Sequence, residues 1–411
     1  MRKIESIDNP LKFQVLKRLY FDGALSCADL SESLDKSLPI IAKAINDMVD
    51  AGLVIENGYA RSTGGRKPLL YAIKPGNIYV VSVVMDQLYT IIKVLDVSNN
   101  AEVCSTKAEL KLLNNDAALG KLEALIKEVI ETSGIDKNDF VGMGLGMPGF
   151  VNTKLGTNNS YVFTHTDEGL RDYFERVLDM PVFIDNDSSV IALAESKFGL
   201  AKGRQDVMVI NIGWGIGLGM IMSGKMFRGH TGYAGEFSHI PIADGDIMCD
   251  CGKRGCLETV ATLRTVAQAA IDKIKQGYKG NLQIKESAEE MCEEVMSAAN
   301  KGDQFAIELL SDMAYKIGKA IAILIHINSP EQVLLSGRGA EVGKILMAPI
   351  QQALNQYCIP RLFEHTVVDV STLKFKAYPI GAAALVMENL SDSKVYVPKQ
   401  SAKEAAFGQF Q

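Results

Sequence analysis

The sequence lacks several features that mark specialised classes of protein. Its 411 residues include one tryptophan and seven cysteines, and a cysteine count that is low and odd argues against a disulfide framework. No apolar run reaches the roughly 18 residues that a membrane helix needs, and the opening residues MRKIESIDNP lack the apolar segment of a signal peptide. With a net charge of −6, the whole molecule is not a general polyanion binder. We therefore predict a cytoplasmic protein with no membrane contact.

What the sequence does contain is a globular composition with an uneven charge. Apolar residues make up 47% and charged residues 22%, which allows a large core, and the length allows two or three domains. Residues 1–74 hold 11 Lys and Arg against 9 Asp and Glu, whereas the remainder holds 32 against 40. Within 61–74 no acidic residue accompanies the basic ones, which are Arg61, Arg66, Lys67 and Lys74. This asymmetry indicates a nucleic-acid module at the N-terminus.

The first 74 residues also have the pattern of a winged helix-turn-helix. Apolar residues at helical spacing across 11–22 end at a glycine, and Ser26 with Asp29 forms a capping pair for a second helix. Pro39 stands where the first turn of a third helix tolerates proline. Two strand-like runs, LVIEN and PLLYAI, then enclose a basic tip. The alternative interpretation is a small helical module that binds protein instead of DNA.

The third helix offers few side chains for reading DNA, because its start, 38–42, is mostly apolar. Polar side chains reach base edges or phosphate oxygens, so the polar residues nearby are the candidates. The DNA-binding candidates are Ser37, Lys43 and Asn46 in the helical part and Arg66 and Lys67 in the basic tip. Each of them is equally well interpreted as an ordinary solvated residue.

From Ile78 onward, apolar strands alternate with helical segments, which is typical of an α/β protein. Two stretches, near 78–97 and 207–226, share a plan of apolar strands in close succession, and this similarity indicates a duplicated lobe. The chain after Leu390 is polar, so we predict a loose tail at 392–411.

Histidine and cysteine cluster in one segment with the spacing H-x9-C-x-C-x4-C. Four such side chains satisfy tetrahedral Zn²⁺ and leave no open position, so we predict one structural zinc ion per chain. The predicted ligands are His239, Cys249, Cys251 and Cys256. Asp246 and Asp250 are alternative ligands, although thiolate and imidazole suit zinc better. The other interpretation is a set of reduced cysteines in the core.

Polar residues near this cluster have the chemistry of a sugar site. An Asp-Asn-Asp run at 185–187 ends a buried strand, where α/β proteins place ligand groups. Glu236 precedes His239 by three residues, and Glu258 follows the last cysteine by two. Carboxylates, an amide and an imidazole together donate to and accept from sugar hydroxyls. We predict that the zinc braces a loop that carries ligand-binding groups.

These segments resemble the ROK family of repressors, open reading frames and sugar kinases. The resemblance covers about 5–391 and rests most on SGKMFRGHTGYAGEFSH (223–239) and CDCGKRGCLE (249–258), with GLGMPG (144–149) and DND as further matches. The segment AGLVIENGYARSTGGRKPLLYAI (51–73) resembles the winged arm of the repressor branch.

The resemblance implies an α/β fold in which a winged helix-turn-helix, 1–74, precedes a two-lobed actin/hexokinase-like (ribonuclease H-like) domain. We expect the small lobe at 75–185 and the large lobe, which includes the zinc loop, at 186–391. We also expect the last helix to return to the small lobe.

The resemblance further implies a sugar bound in the cleft between the lobes. In the family's sugar kinases, the asparagine and second aspartate of DND bind sugar, and that aspartate is the catalytic base; here they are Asn186 and Asp187. The other sugar-binding residues carried over are Glu236, His239, Glu258 and Gly149. One departure is Ser238, which stands where the family has glycine before the histidine.

The ATP half departs from the family's kinases. Their D-x-G-G-T motif corresponds to 84–88 here, where Asp86 takes a glycine position, and Trp214 replaces the threonine of the second phosphate loop. Arg338 interrupts a third glycine-rich run. An acid and larger side chains disfavour a polyphosphate by charge and by bulk.

We therefore predict a sugar-responsive transcriptional regulator, in the first place a repressor, that binds a double-stranded DNA operator and is not an enzyme. We expect a homodimer or tetramer, because two arms on two half-sites multiply affinity and specificity. The alternative is an ATP-dependent sugar kinase with an accessory DNA-binding arm, in which Asp187 acts as the base.

Overall fold

The computed structural model describes residues 9–61, 67–112, 115–162, 164, 168–243, 247–278 and 280–390. Within them the helices are α1 (Pro10–Asp22), α2 (Cys27–Leu34), α3 (Leu38–Asp50), α4 (Ala118–Thr132), α5 (Leu170–Leu178), α6 (Asp187–Phe198), α7 (Leu263–Lys275), α8 (Ala288–Asn300), α9 (Gln304–Asn328), α10 (Gly343–Tyr357), α11 (Pro360–Phe363) and α12 (Ala377–Asn389). Among the described residues, no helix combines the length and the apolar character needed to span a bilayer.

The strands are β1 (Leu25–Ser26), β2 (Val54–Tyr59), β3 (Leu69–Ile73), β4 (Tyr79–Met85), β5 (Tyr89–Asp96), β6 (Glu102–Glu109), β7 (Phe140–Met147), β8 (Val151–Asn152), β9 (Thr157–Asn158), β10 (Val182–Asn186), β11 (Val207–Ile212), β12 (Ile216–Met222), β13 (Lys225–Met226), β14 (Gln332–Ser336) and β15 (Val367–Val370).

The N-terminal arm, α1 to β3, folds as a winged helix-turn-helix. Its three helices pack around apolar side chains that include Leu16, Leu30 and Ile45, and a sheet of order β1-β3-β2 forms the wing. α2 begins with the predicted capping box, because the side chains of Ser26 and Asp29 each accept from the other's backbone N–H. The fold class expected for the first part of the chain is confirmed.

Two five-stranded sheets form the rest of the chain, and they share one plan. Their orders are β6-β5-β4-β7-β10 and β13-β12-β11-β14-β15. In each sheet, three antiparallel strands that follow one another along the chain are extended by two parallel strands. The predicted duplication is therefore confirmed in the topology. We call the first sheet with α4 and α5 the small lobe, and the second sheet with α6 to α11 the large lobe.

Helices α6 and α12 lie side by side between the two sheets. α12 packs on β4, β7 and β10, whereas α6 packs on β11 and β12. Glycine allows this close approach, because a Cβ at Gly144 would overlap the carbonyl oxygen of Ala382 and one at Gly381 would overlap that of Val190. The pair α6–α12 is thus the tightly packed junction of the lobes.

The apolar core follows these layers. The outer face of each sheet has its own cluster, under α7 to α10 in the large lobe and under α4 and α5 in the small lobe. The layer of α6 and α12 instead shares one continuous cluster with the core of the N-terminal arm. The arm is therefore packed onto the junction of the lobes.

Candidate functional site

A cleft of about 340 Å³ lies between the two lobes, at the end of the sheets where β7, β10 and the β11–β12 turn meet. Its lining includes every residue predicted to bind sugar, namely Gly149, Asn186, Asp187, Glu236, His239 and Glu258. We call the part of the cleft around these residues the sugar end. The part around Asp86, Gln87 and the β11–β12 turn we call the phosphate end.

Asn186 and Asp187 occupy the point where β10 ends and α6 begins. The Asn186 side chain accepts from the backbone N–H of Ser188 at 2.9 Å, which caps α6, and its amide donates to the carbonyl oxygen of Gly149 at 3.1 Å. The chain must turn from strand to helix here, so both side chains are held at the cleft wall by the backbone itself. The resulting geometry fixes one amide and one carboxylate toward a ligand.

The Asp187 carboxylate is enclosed by polar neighbours. It accepts from the Ser188 backbone at 2.8 Å and from the Asn211 amide at 3.3 Å. Burial raises the pKa of Asp187 to about 6, although the hydrogen bonds from Ser188 lower it, and the carboxylates of Asp86 and Glu258 raise it further. A group with this pKa can accept a proton or a hydroxyl hydrogen near neutral pH.

Two more carboxylates face the same space. Burial raises the pKa of Glu236 to about 7, and the charges of Asp187 and Glu258 add to that shift. Burial also raises the pKa of Glu258, while His239 and Arg264 lower it. Three carboxylates in one cleft repel each other, and the hydroxyl groups of a sugar would reduce that repulsion by donating hydrogen bonds to them.

Sequence reasoning missed the partner that holds the first aspartate of the DND run. Arg228 forms an ion pair with Asp185, which is buried, and the other carboxylate oxygen of Asp185 accepts from the backbone N–H of Asn186 at 2.9 Å. Arg228 lies within the segment 223–239 that carries the resemblance, but a lone arginine there gives no sign of its partner. Arg228 holds the carboxylate of Asp185, which in turn holds the backbone of Asn186.

The predicted zinc ligands come together in space. The ligand atoms of His239, Cys249, Cys251 and Cys256 all lie within 4.8 Å of one another. Nδ1 of His239 is 3.7 Å from Sγ of Cys249, and Sγ of Cys251 is 3.6 Å from Sγ of Cys256. With Zn–S bonds of about 2.3 Å, a tetrahedral site places its ligand atoms at such separations. The donor set therefore fits a metal ion.

Local backbone geometry explains why these side chains converge. Gly252 and Gly255 have φ of 81° and 76°, and these left-handed residues allow the tight hairpin that carries the three cysteines. The alternative ligand Asp250 has a side chain that is 90% exposed and lies 3.9 Å from Arg264. The other alternative, Asp246, lies outside the described residues.

His239 connects the metal cluster to the cleft. Nδ1 of its ring faces the cysteines, while Nε2 lies 3.8 Å from the carboxylate of Glu236. A metal bound at one nitrogen fixes the tautomer and leaves the other nitrogen to a ligand or an acid. Ser238, the departure noted in the sequence, is buried and also lines the cleft.

An ion-pair network between the lobes lies near Asp86, outside the lining of the cleft. Glu289 on α8 of the large lobe accepts from Arg338 at 2.6 Å and from Lys107 on β6 of the small lobe at 3.1 Å. We call Lys107, Glu289 and Arg338 the Glu289 clasp. Only Arg338 stood out in the sequence, because the three residues are too far apart along the chain to form a motif.

The resemblance matches residues 84–88 and 213–217 to the phosphate loops of the family's kinases, and larger side chains stand at some of those positions here. Asp86 accepts from the backbone N–H groups of Leu88 and Tyr89, each at 2.7 Å, so the carboxylate uses the donors of its own turn. In the β11–β12 strand pair, a Cβ at Gly217 would overlap the hydroxyl of Ser188. The close approach of α6 therefore explains this glycine.

The residues predicted to bind DNA lie on the surface of the arm. Ser37 precedes α3, Lys43 and Asn46 lie along it, and all are exposed, as is Lys67 before β3. Arg66 lies outside the described residues. Leu38 and Ile40, at the apolar start of α3, are each half exposed.

A family model described as the ROK family matches residues 110–389, which is more than half of the chain. The chain belongs to the ROK family. The resemblance predicted from the segments 223–239 and 249–258 is confirmed.

Similar ROK proteins include both regulators and kinases. The chain is 26% identical to a xylose repressor of Caldicellulosiruptor bescii over 393 residues, covering 92% of this chain and 96% of the repressor. It is 33% identical to a glucokinase of Halalkalibacterium halodurans over 260 residues, covering 61% of this chain and 78% of the kinase. The crystal structure of a ROK family transcriptional regulator, a homologue of the E. coli MLC protein, matches with a TM-score of 0.74 at 25% identity, covering 93% of this chain and 98% of that one.

Proposed function

We propose that the chain is a sugar-responsive transcriptional repressor, which binds an operator through its N-terminal arm and is released when a sugar occupies the cleft between the lobes. The observation that carries the proposal is the joining of two features in one chain. A winged helix-turn-helix packs onto the junction of two lobes, and the cleft between those lobes collects hydroxyl-binding side chains. Acting on chromosomal DNA places the protein in the cytoplasm.

The sugar end has the chemistry to bind a polyhydroxyl ligand. The carboxylates of Asp187, Glu236 and Glu258 accept hydroxyl hydrogens, and the amide of Asn186 can donate or accept. His239 and the backbone at Gly149 complete the lining. In this proposal Asp187 is a hydrogen-bond acceptor and no bond in the sugar is broken.

We assign the metal cluster a structural role with Zn²⁺, because three thiolates and one imidazole form a closed tetrahedral set. Bound zinc would supply coordination bonds that cross-link the loop at 239 to the hairpin at 249–256, with no open coordination position. Those cross-links hold the imidazole of His239 and, next to it, Glu236 at the cleft wall.

A second candidate is an ATP-dependent sugar kinase. Two observations favour it: the similarity to a glucokinase, and Asp187 standing at the base position with a pKa raised to about 6 by burial. Against it, the carboxylate of Asp86 lies at the phosphate end, where it adds negative charge and uses the backbone N–H groups of its own turn. A coupled assay for ADP with glucose, xylose and N-acetylglucosamine separates the candidates, because a repressor releases no ADP above background.

The arm presents a basic and polar face for DNA. Lys43, Asn46 and Lys67 are exposed and can reach phosphate oxygens or base edges, with Ser37 at the start of α3. Half-sites on double-stranded DNA are bound best by a symmetric pair of arms, so we expect a homodimer or a tetramer.

The test is fluorescence anisotropy of the full chain on the DNA upstream of its own gene, at two salt concentrations and with the same sugars. We expect binding that weakens steeply with salt, because bound phosphates release counterions, and that one sugar reverses. Replacing Lys43 and Lys67 with alanine should reduce the salt dependence, whereas the exposed Lys137→Ala control should not. Salt-insensitive binding, or binding that no sugar changes, argues for the protein-recruiting or kinase interpretation.

A further inference from the structure

Helix α1 of the arm contacts both lobes at once. It lies against the junction where α6, which belongs to the large lobe, packs beside α12, which is seated on the sheet of the small lobe. The contacts of α1 divide into one set for each lobe, and Tyr20 takes part in both sets.

The first set joins α1 to the small lobe. The hydroxyl of Tyr20 donates to Oδ1 of Asn100, in the turn between β5 and β6, at 2.7 Å. Nζ of Lys17 donates to the carbonyl oxygen of Glu388 on α12 at 2.8 Å and lies 3.3 Å from its carboxylate. Tyr20 is buried, so its hydroxyl depends on this partner instead of on water.

The second set joins α1 to the large lobe. The ring of Phe198, the last residue of α6, lies 5.4 Å from the ring of Tyr20 in an edge-to-face arrangement and 5.7 Å from that of Phe21. Beyond α6, Nζ of Lys202 donates to the carbonyl oxygen of Phe21 at 2.9 Å and lies 3.6 Å from the carboxylate of Asp22.

Helix α6 runs from the cleft to these contacts. It begins at Asp187 in the sugar end and ends at Phe198 against the arm, and its 12 residues span about 18 Å. Near its end, the buried carboxylate of Glu195 accepts from Ser336 at 2.8 Å and from Ser371, which ties the helix to β14 and to the loop after β15. These bonds anchor the end of α6 to the large lobe.

We propose that α1 couples the cleft to the DNA-binding arm, with Phe198 and Tyr20 as its positioning residues. When a ligand changes the angle between the lobes, α6 shifts relative to α12 and to Asn100. α1 is bonded to both, so the arm must change its position or lose one set of bonds. The inference rests on the proposed function and assigns the regulation of the same site.

Coupling of this kind is a ratio of affinities, so it can be removed without removing either binding event. Full-length Phe198→Ala and Tyr20→Phe should bind sugar with a Kd within about twofold of the wild-type value. The fluorescence of Trp214 measures this binding. Trp214 suits this purpose because it lines the cleft and is the sole tryptophan of the sequence. Neither substituted side chain touches the cleft, which is why sugar affinity should hold.

The measured quantity is the operator Kd with saturating sugar divided by the Kd without it. Coupled sites commonly give a ratio of about 5 to 150. We expect Phe198→Ala to reduce the ratio to below about 2, and Tyr20→Phe, which keeps the ring and removes only the bond to Asn100, to reduce it by about half or more. The matched controls, Phe363→Ala on α11 and Tyr278→Phe after α7, should keep the full ratio.

Amide hydrogen exchange of α1 gives a readout that needs no operator. In the unchanged protein, the sugar that alters Trp214 fluorescence should change the protection of residues 10–22, and in Phe198→Ala it should not. If both variants keep the full ratio and the α1 response, the inference is wrong although the proposed function stands. If no sugar changes either Trp214 fluorescence or operator binding in the unchanged protein, the proposed function fails and the inference falls with it.

Discussion

The two ends of the cleft differ more than the two lobes that form them. Both sheets have the same strand order, yet the sugar end presents acids, an amide and a histidine that also belongs to the metal-ligand cluster. At the phosphate end, by contrast, Asp86 accepts from the backbone N–H groups of its own turn. Under the proposed function, this difference means that the cleft suits a sugar better than a polyphosphate. A ligand at the sugar end needs hydrogen bonds only, but a phosphate chain needs an unoccupied, electropositive turn.

Removing the metal should have the largest effect of the changes considered, because it should weaken sugar binding without altering the phosphate end. Cys256→Ser should lower bound zinc from about one ion per chain to near zero, weaken sugar binding more than about tenfold and lower the melting temperature by roughly 5 °C or more. Elemental analysis, Trp214 titration and calorimetry measure the three effects.

Cys104→Ser is the matched control, because Cys104 lies on β6, far from the cluster. It should keep the zinc content. Full sugar affinity in zinc-free Cys256→Ser would mean that the cluster does not hold the cleft in shape.

Asp187→Asn should weaken sugar binding about 10- to 100-fold, because it replaces a charged acceptor by a neutral one at the centre of the sugar end. Operator affinity without sugar should stay within about twofold, and operator release should require correspondingly more sugar. Isothermal titration and anisotropy measure the two affinities. The exposed Asp312→Asn variant should match the unchanged protein in both, and unaltered sugar binding by Asp187→Asn would contradict the site.

Substitutions in the Glu289 clasp should change the stability of the protein and leave its sugar affinity unaltered. Glu289→Gln leaves Arg338 and Lys107 without their buried acid, which should lower the melting temperature by roughly 3 °C. Glu293→Gln is the matched control, because Glu293 lies 3.4 Å from the same arginine but is exposed, and its loss should cost little. Equal melting of the two variants would show that the Glu289 clasp does not stabilise the contact between the lobes.

The smallest effect we expect is the change of sugar affinity with pH. The pKa of Asp187 is raised to about 6 by burial, so its carboxyl is largely neutral at pH 5 and charged at pH 7. A sugar hydroxyl binds the charged form better, so ionisation of Asp187 should raise sugar affinity by up to about tenfold from pH 5 to pH 7. Glu236, whose pKa is raised to about 7 by burial, should extend the rise above pH 7. The stability of the ligand-free protein should change in the opposite direction. Because the pKa of Asp187 is raised in the folded state, the contribution of this group to stability is lost as the pH rises through 6.

Trp214 titration at several pH values measures this rise in affinity. Asp86 and Glu258 also face Asp187 and favour its neutral form, so the comparison with Asp187→Asn isolates its share. The variant should have a flatter profile, and an equally steep one would assign the pH dependence to other groups.

Local patterns predicted much of this structure. The capping pair of Ser26 and Asp29 begins α2, Pro39 lies in the first turn of α3, and the cluster spacing identified four side chains that do meet in space. The residues predicted to bind sugar do line one cleft, where Asn186 and Asp187 lie at the end of a strand and the others come from loops or short helical turns. In these cases the determining contacts are local or belong to a compact motif.

Contacts between distant segments could not be predicted in this way. The pairing of Lys107 with Glu289 depends on how the lobes face each other, and the ion pair of Arg228 with Asp185 depends on the fold of an intervening loop. Leu38 and Ile40 make the start of α3 apolar, and both side chains are half exposed. Long-range partners are set by topology, which one sequence does not encode in any short pattern.

The shared core of the arm and the α6–α12 layer has a consequence for protein engineering. Sensors are often assembled by exchanging a DNA-binding module between relatives, as if the module ended where its own helices end. Here a foreign arm would need to present an aromatic pair to Phe198 and a hydroxyl to Asn100, and a foreign sensor would need to supply those two residues in return. A chimera joined after residue 74 without them would bind DNA and bind sugar, but one event would no longer report on the other.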